Sequence, residues 1–304
     1  MDVIEQLLAN LEVGIGAFAS CDIRLGHQLT FDSRPAAAGV HYCLSGQGYL
    51  RLRNGKTVTM RRHSFVLLPP KVIYTLAANE EEDAHSTPQR RLRAPLFKES
   101  VPTIQAGDGA LGILTVCGEV HFEGTGTPGL FAGLDGPMVE HFDGPDGLQE
   151  KFIVLLAESA RPRLGTRPLT EALLKQCLVL LLRRKIERGE SSLPWIAALA
   201  DPGLSKAMQA ILQRYSDPLT VEKLASIAGM SRSAFAARFT HAFGRTPMSL
   251  LRSARLHRAK ELLATSNASV AQIACCVGFS SRSNFSRAFF QAYGADPSKF
   301  RTRW

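Results

Sequence analysis

Cysteine is scarce in this chain and unclustered. The six thiols (Cys21, Cys43, Cys117, Cys177, Cys275 and Cys276) include no CxxC pair and no Cys/His grouping at zinc-finger spacing. That argues against a disulfide framework or a structural zinc, and the expectation is reduced thiols in a core. No apolar run approaches the roughly 18 residues needed to span a bilayer. The opening stretch MDVIEQLLANLEVGIG carries acids where a secretory leader carries lysine or arginine. The reading is a cytoplasmic protein with no membrane partner. Acidic residues are themselves rare at one end: from Ser205 to Trp304 there are 4 Asp+Glu against 15 Lys+Arg, a net of +11. The remainder holds 23 acids against 21 bases, a net of −2. A strongly basic segment beside a nearly neutral one fits a polyanion-binding module joined to something else, and duplex DNA is the polyanion expected.

What is present is a repeat. Val221–Arg252 (VEKLASIAGMSRSAFAARFTHAFGRTPMSLLR) is echoed by Val270–Arg301 (VAQIACCVGFSSRSNFSRAFFQAYGADPSKFR). Leu224/Ile273, Gly229/Gly278, Ser231/Ser280, Phe235/Phe285, Phe239/Phe289, Gly244/Gly294 and Pro247/Pro297 correspond, with one residue inserted before Phe285. Each copy predicts two short helices at a tight turn. Thr220 or Ser269 caps the first helix, the glycine supplies the turn, and Ser231 or Ser280 caps the second. This is a helix-turn-helix, whose second helix suits a major groove about 12 Å wide.

The outward positions of those second helices are the candidate DNA contacts: Arg232, Ser233 and Arg238 in the first copy, Arg282, Ser283, Asn284 and Arg287 in the second. Arginine pairs bidentately with guanine and asparagine with adenine; each residue also has the simpler reading of a phosphate contact or a solvated side chain. Ala236 and Ala237 leave the first copy with fewer hydrogen-bonding groups. Between the copies MSLLRSARLHRAKELLATS predicts one helix with Arg252, Arg255 and Arg258 outward. Its length of about 27 Å is close to the ~34 Å of one DNA turn, so two motifs fixed to it could enter successive grooves.

Through LASIAGMSRSAFAARFTHAFGRTP, RLHRAKELL and VAQIACCVGFSSRSNFSRAFFQAYGADPSKFR, the last hundred residues closely resemble the AraC/XylS family of transcription regulators. The resemblance implies promoter DNA as a partner, transcription activation through contact with RNA polymerase, and no catalytic residues.

From Phe18 to Phe122 short alternating stretches such as GVHYCLSG, QGYLRLRNG and SFVLLPPKVIYTLA are punctuated by Gly, Asn and Pro, which predicts a β-barrel or double-sheet roll. VHYCLSGQGYLRLRNGKTVTMRRHSFVLLPPKVIYTL resembles the cupin-like sensor domains that precede AraC-type ends. Catalytic cupins hold a metal with clustered histidines and a glutamate; here His41 stands alone, so the expectation is no metal, no cofactor and no enzyme. Two inputs compete for the barrel. Arg90, Arg91 and Arg93 in QRRLRAPL, with Asp22 and Arg24 in CDIRLGHQL, weakly resemble the two motifs with which PilZ-type domains bind cyclic di-GMP, although Arg24 stands at a serine position and His27 at a glycine. The rival is redox sensing through Cys21 and Cys117, with Arg24 and His27 near Cys21 to lower a thiol pKa.

The fold class is therefore α+β: residues 1–140 a cupin-like sensor, 141–203 a helical linker and dimerisation region, and 204–304 an all-α double helix-turn-helix. In the middle region LQEKFIVLLAESARP and LTEALLKQCLVLLLRRKIERG predict two amphipathic helices. The stripe Leu173, Leu174, Leu178, Leu181 and Leu182 is the candidate homodimer contact, with ordinary domain packing as its alternative.

Overall fold

The computed structural model describes residues 3–9, 11–32, 37–80, 85–86, 103–122, 131, 134, 136–143, 147–189 and 193–301. The chain divides into two compact units, residues 13–122 with 134–192, and residues 193–304 with 1–12 and 123–133. After a short first helix, α1 (Val3–Ala9), ten strands follow among the described residues: β1 (Gly14–Arg24), β2 (His27–Asp32), β3 (Ala38–Leu52), β4 (Thr57–Arg61), β5 (Ser64–Leu68), β6 (Ile73–Ala77), β7 (His85–Ser86), β8 (Thr103–Ala106), β9 (Leu111–His121) and β10 (Met138–His141). They form one sheet in the order β7-β2-β6-β3-β9-β1-β8, with β4 and β5 also on β3 and β10 on β5. β2 packs against β1 and β8, which brings the two ends of the path together into a nearly closed barrel.

β3 is the hub, and its burial pattern changes along its length. Gly48, Leu50 and Leu52 point inward while Tyr49 and Arg51 face out, the alternation of a strand with one wet face. Ala38–Cys43 is buried at every position, because its outer face is covered. There the helix α2 (Gln149–Ala160) sets Phe152 flat on Tyr42 (centroids 4.6 Å, 7° between planes) and beside Phe65. Burying a phenylalanine of this kind is worth about 2–3 kcal/mol. On the inner face Cys21, Ile23, Phe31, Cys43, Leu50, Val66, Leu68, Tyr74, Leu76, Ile113 and Cys117 pack into one core.

A second long helix, α3 (Thr166–Glu187), completes this unit. Leu174, Leu178, Leu181 and Leu182 are fully buried and Leu173 partly so. The leucine stripe expected to face a second copy is consumed by the unit's own core. Large apolar residues that remain exposed are Ile153 and Val154 on α2, Leu164 in the turn that follows it and Leu169 on α3.

The other unit is helical: α4 (Pro194–Ala200), α5 (Pro202–Gln213), α6 (Val221–Ala228), α7 (Arg232–Phe243), α8 (Pro247–Thr265), α9 (Val270–Cys276), α10 (Arg282–Tyr293) and α11 (Pro297–Arg301), with α1 packed on α5. Phe235, Phe239 and Phe243 pack in series, ring tilted against ring, within the first half. Phe285, Phe289, Ile273, Leu256 and Leu263 fill the second. Just beyond α1, Glu12 accepts from Lys260 of α8 at 2.9 Å and lies 3.5 Å from His257. Burial works to raise the Glu12 carboxyl, but these two partners outweigh it and hold it below the usual carboxylate range.

The corner of β3 is at Gly46, where the strand leaves β9 and β5 for β4 and β6, just after a register shift between Cys43 and Ser45. Gly46 has φ +79°, and a Cβ there would lie 2.1 Å from the Gly112 carbonyl oxygen. Neither alanine's stereochemistry nor the available space fits. Gly46→Ala is expected to cost the barrel about 2 kcal/mol or more, read by calorimetry as a lower thermal midpoint for that unit.

Candidate functional site

The β-bend puts His41 on the inner face of β3 opposite Cys117 of β9, its antiparallel partner in register. His41 Nδ1 lies 3.1 Å from Cys117 Sγ, and His41 Nε2 shares a 2.7 Å hydrogen bond with the Tyr74 hydroxyl. Thr115, two residues along the same face, brings its hydroxyl to 3.0 Å from Cys117 Sγ. Phe31 stacks on Tyr74 and meets His41 edge-on, closing the cluster with apolar surface. Cys21 faces Thr115 across β1 and β9, which makes it the diagonal neighbour of Cys117. Cys21, His41 and Thr115 are fully buried and Cys117 is 1 % exposed.

Burial opposes ionisation of every group here, and the partners decide the outcome. For Cys117 burial is outweighed by the Cys21 thiol, the His41 imidazole and the Thr115 hydroxyl, which together bring it down to about 5. Cys21 moves well up, through burial and the adjacent Cys117. Cys43, without such partners, is pushed up to about 12 by burial. The two thiols are thus shifted in opposite directions, Cys117 toward its thiolate and Cys21 away from it.

Of the residues expected to hold a nucleotide effector, Arg90, Arg91 and Arg93 lie outside the described residues. Asp22 and Arg24 are turned to each other at 2.7 Å, with Arg24 also donating to the Gly109 carbonyl at 2.9 Å. Arg24 therefore serves Asp22 and a loop carbonyl and is not among the groups that shift Cys21.

In the helical unit each motif is built as its sequence predicts, with one correction. Thr220 caps α6 by accepting from the Lys223 amide, Gly229 takes the left-handed conformation, and Ser231 caps α7. Ser269 and Gln272 form a reciprocal capping box on α9. The cap of α10 is Ser281, not Ser280, accepting from the Asn284 amide at 3.2 Å. The inserted residue lengthens the turn and moves the helix start by one position.

The seven predicted contact residues are all exposed, and they differ in what they already hold. On α7, Arg232 pairs with Glu222 at 3.1 Å and Arg238 with Asp201 at 2.8 Å, leaving Ser233 as its hydroxyl donor. On α10, Arg282 and Arg287 make no ion pair among the described residues, and Ser283 and Asn284 stand beside them. Asn284 and Arg287 line a groove with Thr220, Arg252 and Gln291.

Arg255 corrects the expectation that all three α8 arginines point outward. It is half-buried and donates to the carbonyls of Tyr215 and Asp217 at 2.7 and 2.8 Å, clamping the segment before α6 onto α8. Gly278 leaves room for that segment: a Cβ there would lie 2.7 Å from the Ser216 carbonyl oxygen. Both motifs are thereby tied to one 19-residue helix, about 28 Å long.

Comparison with known proteins matches residues 224–303 to a helix-turn-helix domain and residues 2–187 to the cupin family. The chain belongs to the AraC/XylS family of transcription regulators. An uncharacterized HTH-type transcriptional regulator of Haemophilus influenzae is 27 % identical over 99 % of this chain and 98 % of its own. RclR of Escherichia coli, named an RCS-specific HTH-type transcriptional activator, is 27 % identical over 86 % of this chain and 84 % of its own. Among solved structures, the DNA-binding domain of AdpA in complex with a target DNA is 32 % identical, covering 34 % of this chain and 92 % of that one with a TM-score of 0.32. This is a DNA-binding regulator and not an enzyme.

The regulator's barrel does not fit the metal centre of catalytic cupins. Its buried His41 is held by a tyrosine and a thiol, and among the described residues no group of three His, Cys, Asp or Glu could hold an ion. The sequence reading named Cys21 and Cys117 but missed His41, Thr115 and Tyr74 as their partners. A partial signal was available, since strand alternation puts His41 with Cys43 and Thr115 with Cys117. Which strand lies opposite was not available.

A thiolate absorbs near 240 nm. Acidification through about pH 5 should remove one thiolate's absorbance from the folded regulator, and Cys117→Ser should lack that step. A step that survives in Cys117→Ser would assign the ionised thiol elsewhere.

Proposed function

We propose that this regulator reads a bipartite promoter site as α7 and α10 enter successive major grooves, and that its input is oxidation of the Cys21–Cys117 pair. The reading site rests on the exposure of Arg282, Asn284 and Arg287, with guanidinium groups not committed to acids among the described residues. α10 is the principal base reader, because α7 must give up the Glu222 and Asp201 ion pairs before its arginines can reach DNA. Bound at a promoter, the protein activates transcription by contacting RNA polymerase in the cytoplasm. It assembles as a homodimer through the exposed Ile153, Val154, Leu164 and Leu169.

The observation that carries the input is the placement of two buried thiols diagonally across β1 and β9, with His41 and Thr115 beside Cys117 to favour its thiolate and burial favouring the neutral form of Cys21 as the resolving thiol. Both are buried, so the oxidant must be as small as a peroxide. The Cys117 thiolate attacks one peroxide oxygen, the O–O bond breaks, and the leaving hydroxide takes a proton to become water. The Cys21 thiol then attacks the Cys117 sulfenic acid, expelling its hydroxyl as a second water and leaving a disulfide. Diagonal cross-strand residues sit about 7–8 Å apart at Cα, whereas a disulfide holds them within about 7 Å. Closing the bond therefore shears β1 against β9, and β1 packs on α2 and α3.

Arg287→Ala should weaken binding at the preferred site by about 1–3 kcal/mol and relax choice at one base. Arg238→Ala should cost about 1 kcal/mol or less, since its ion pair already competes with DNA. Equal losses on every DNA sequence, measured by fluorescence anisotropy, would reduce Arg287 to a phosphate contact. For the input, hydrogen peroxide should change promoter affinity in wild type, with a mass loss of two hydrogens, and leave Cys21→Ser and Cys117→Ser unresponsive. If those variants still respond, the thiols are not the input; calorimetric binding of cyclic di-GMP, lost on joint Arg90→Ala and Arg91→Ala, would then establish the nucleotide as effector.

A further inference from the structure

Both ring nitrogens of the fully buried His41 are engaged by side chains, each by a different one. Nδ1 lies 3.1 Å from Cys117 Sγ on β9, and Nε2 lies 2.7 Å from the Tyr74 hydroxyl on β6. A neutral imidazole has one proton for these two positions, so the bond made at one nitrogen dictates what the other presents. A proton on Nδ1 points an N–H at the sulfur and favours a thiolate. A bare Nδ1 accepts the thiol proton instead and keeps Cys117 neutral.

Tyr74 discriminates between these two arrangements. Its ring is buried, stacks on Phe31 with centroids 5.1 Å apart, and meets His41 edge-on at 5.2 Å. Gly39, two residues before His41 on β3, leaves space for the hydroxyl: a Cβ there would lie 3.1 Å from its oxygen. Burial pushes the phenol well above its usual range, with Cys117, Cys21 and Glu119 adding to the rise, so it keeps its proton where Cys117 titrates. Among the described residues, His41 Nε2 is the acceptor within reach of that proton. The opposite arrangement, Nε2–H donating to the tyrosine oxygen, would leave the phenol O–H buried without an acceptor, which a dry interior penalises. The other groups around Cys117 are Cys21 from β1, Cys43 from β3 and Thr115 from β9 itself. Cys21 and Cys43 are both shifted up and stay neutral where Cys117 ionises, and the Thr115 hydroxyl turns to suit either state.

We propose that Tyr74 is a positioning residue of the cysteine pair: by donating to His41 Nε2 it locks the imidazole proton on Nδ1, where that proton holds the Cys117 sulfur as an anion open to an oxidant. Tyr74 acts through His41 and not on the sulfur. This deepens the redox input proposed above and rests on it for its consequence.

Two readouts on the full-length protein separate the parts. In the reduced wild type at neutral pH, the ring nitrogen-15 shifts of His41, assigned by their loss in His41→Gln, should place the proton on Nδ1. In Tyr74→Phe, matched to wild type by circular dichroism, that preference should weaken. The midpoint of its 240 nm thiolate step should rise from about 5 by about one pH unit, the scale of one lost hydrogen bond. Tyr42→Phe removes another buried tyrosine hydroxyl, bound to His63 at 2.9 Å on the outer face, and should leave both readouts unchanged. A proton on wild-type His41 Nε2, or a Tyr74→Phe midpoint equal to wild type, overturns the role of Tyr74 while the peroxide response of Cys21 and Cys117 stands. Thiols that ignore peroxide beside a His41 protonated on Nδ1 overturn the redox input and leave the Tyr74–His41–Cys117 chain intact. Should Tyr74→Phe not fold, the wild-type tautomer decides by itself.

Discussion

The barrel depends on a single strand turning a corner. β3 serves β9 and β5 with its first half and β4 and β6 with its second, and only a glycine can make the turn at Gly46, where the Gly112 carbonyl leaves no space for a side chain. Ahead of the corner every residue from Ala38 to Cys43 is buried, because the strand has the barrel core on one side and Phe152 on the other. That double burial is what places an imidazole against a thiol in a dry interior. A histidine and a cysteine on a one-sided strand would be screened by water and would perturb each other far less.

The helical unit meets a different constraint, the rigidity of a spacing. Two readers can grip one duplex only if their separation and rotation are held, and here both are docked on α8. Arg255 satisfies two carbonyls of the segment that enters the first motif, while Gly278 of the second motif lies against that same segment. The side chain that sequence periodicity assigned to solvent is thus part of the joint between the motifs. The duplication is not symmetrical in charge: α7 has acids within reach from α5's cap and α6, whereas α10 has none among the described residues. Divergence of the copies has concentrated free donors on one helix.

The charge map of the chain has the same logic at larger scale. Excess positive charge sits in the segment that carries the helix-turn-helix motifs, and within the nearly neutral remainder one buried glutamate gathers three cations at the end of α3. A net count over two hundred residues averages such a cluster away. Fields act over a Debye length of about 8–10 Å, so position matters more than the sum.

Much of this protein was determined by its sequence alone, for reasons of local physics. Caps at Thr220, Ser231 and Ser269, left-handed glycines, helical phenylalanine spacing and strand alternation all act within a few residues, so the repeat, the helix-turn-helix and the β-rich half are legible without coordinates. The one-residue insertion before Phe285 was visible too, yet the resulting shift of the cap to Ser281 was not, because Ser280 and Ser281 are chemically equivalent. Tertiary structure decided everything that depends on what lies opposite. It paired His41 with Cys117 rather than with a metal set, and it turned Arg24 onto Asp22 and Arg255 onto backbone carbonyls. It also buried the α3 leucines within their own unit. Long side chains and apolar stripes have several possible partners of similar energy, and only the fold selects among them.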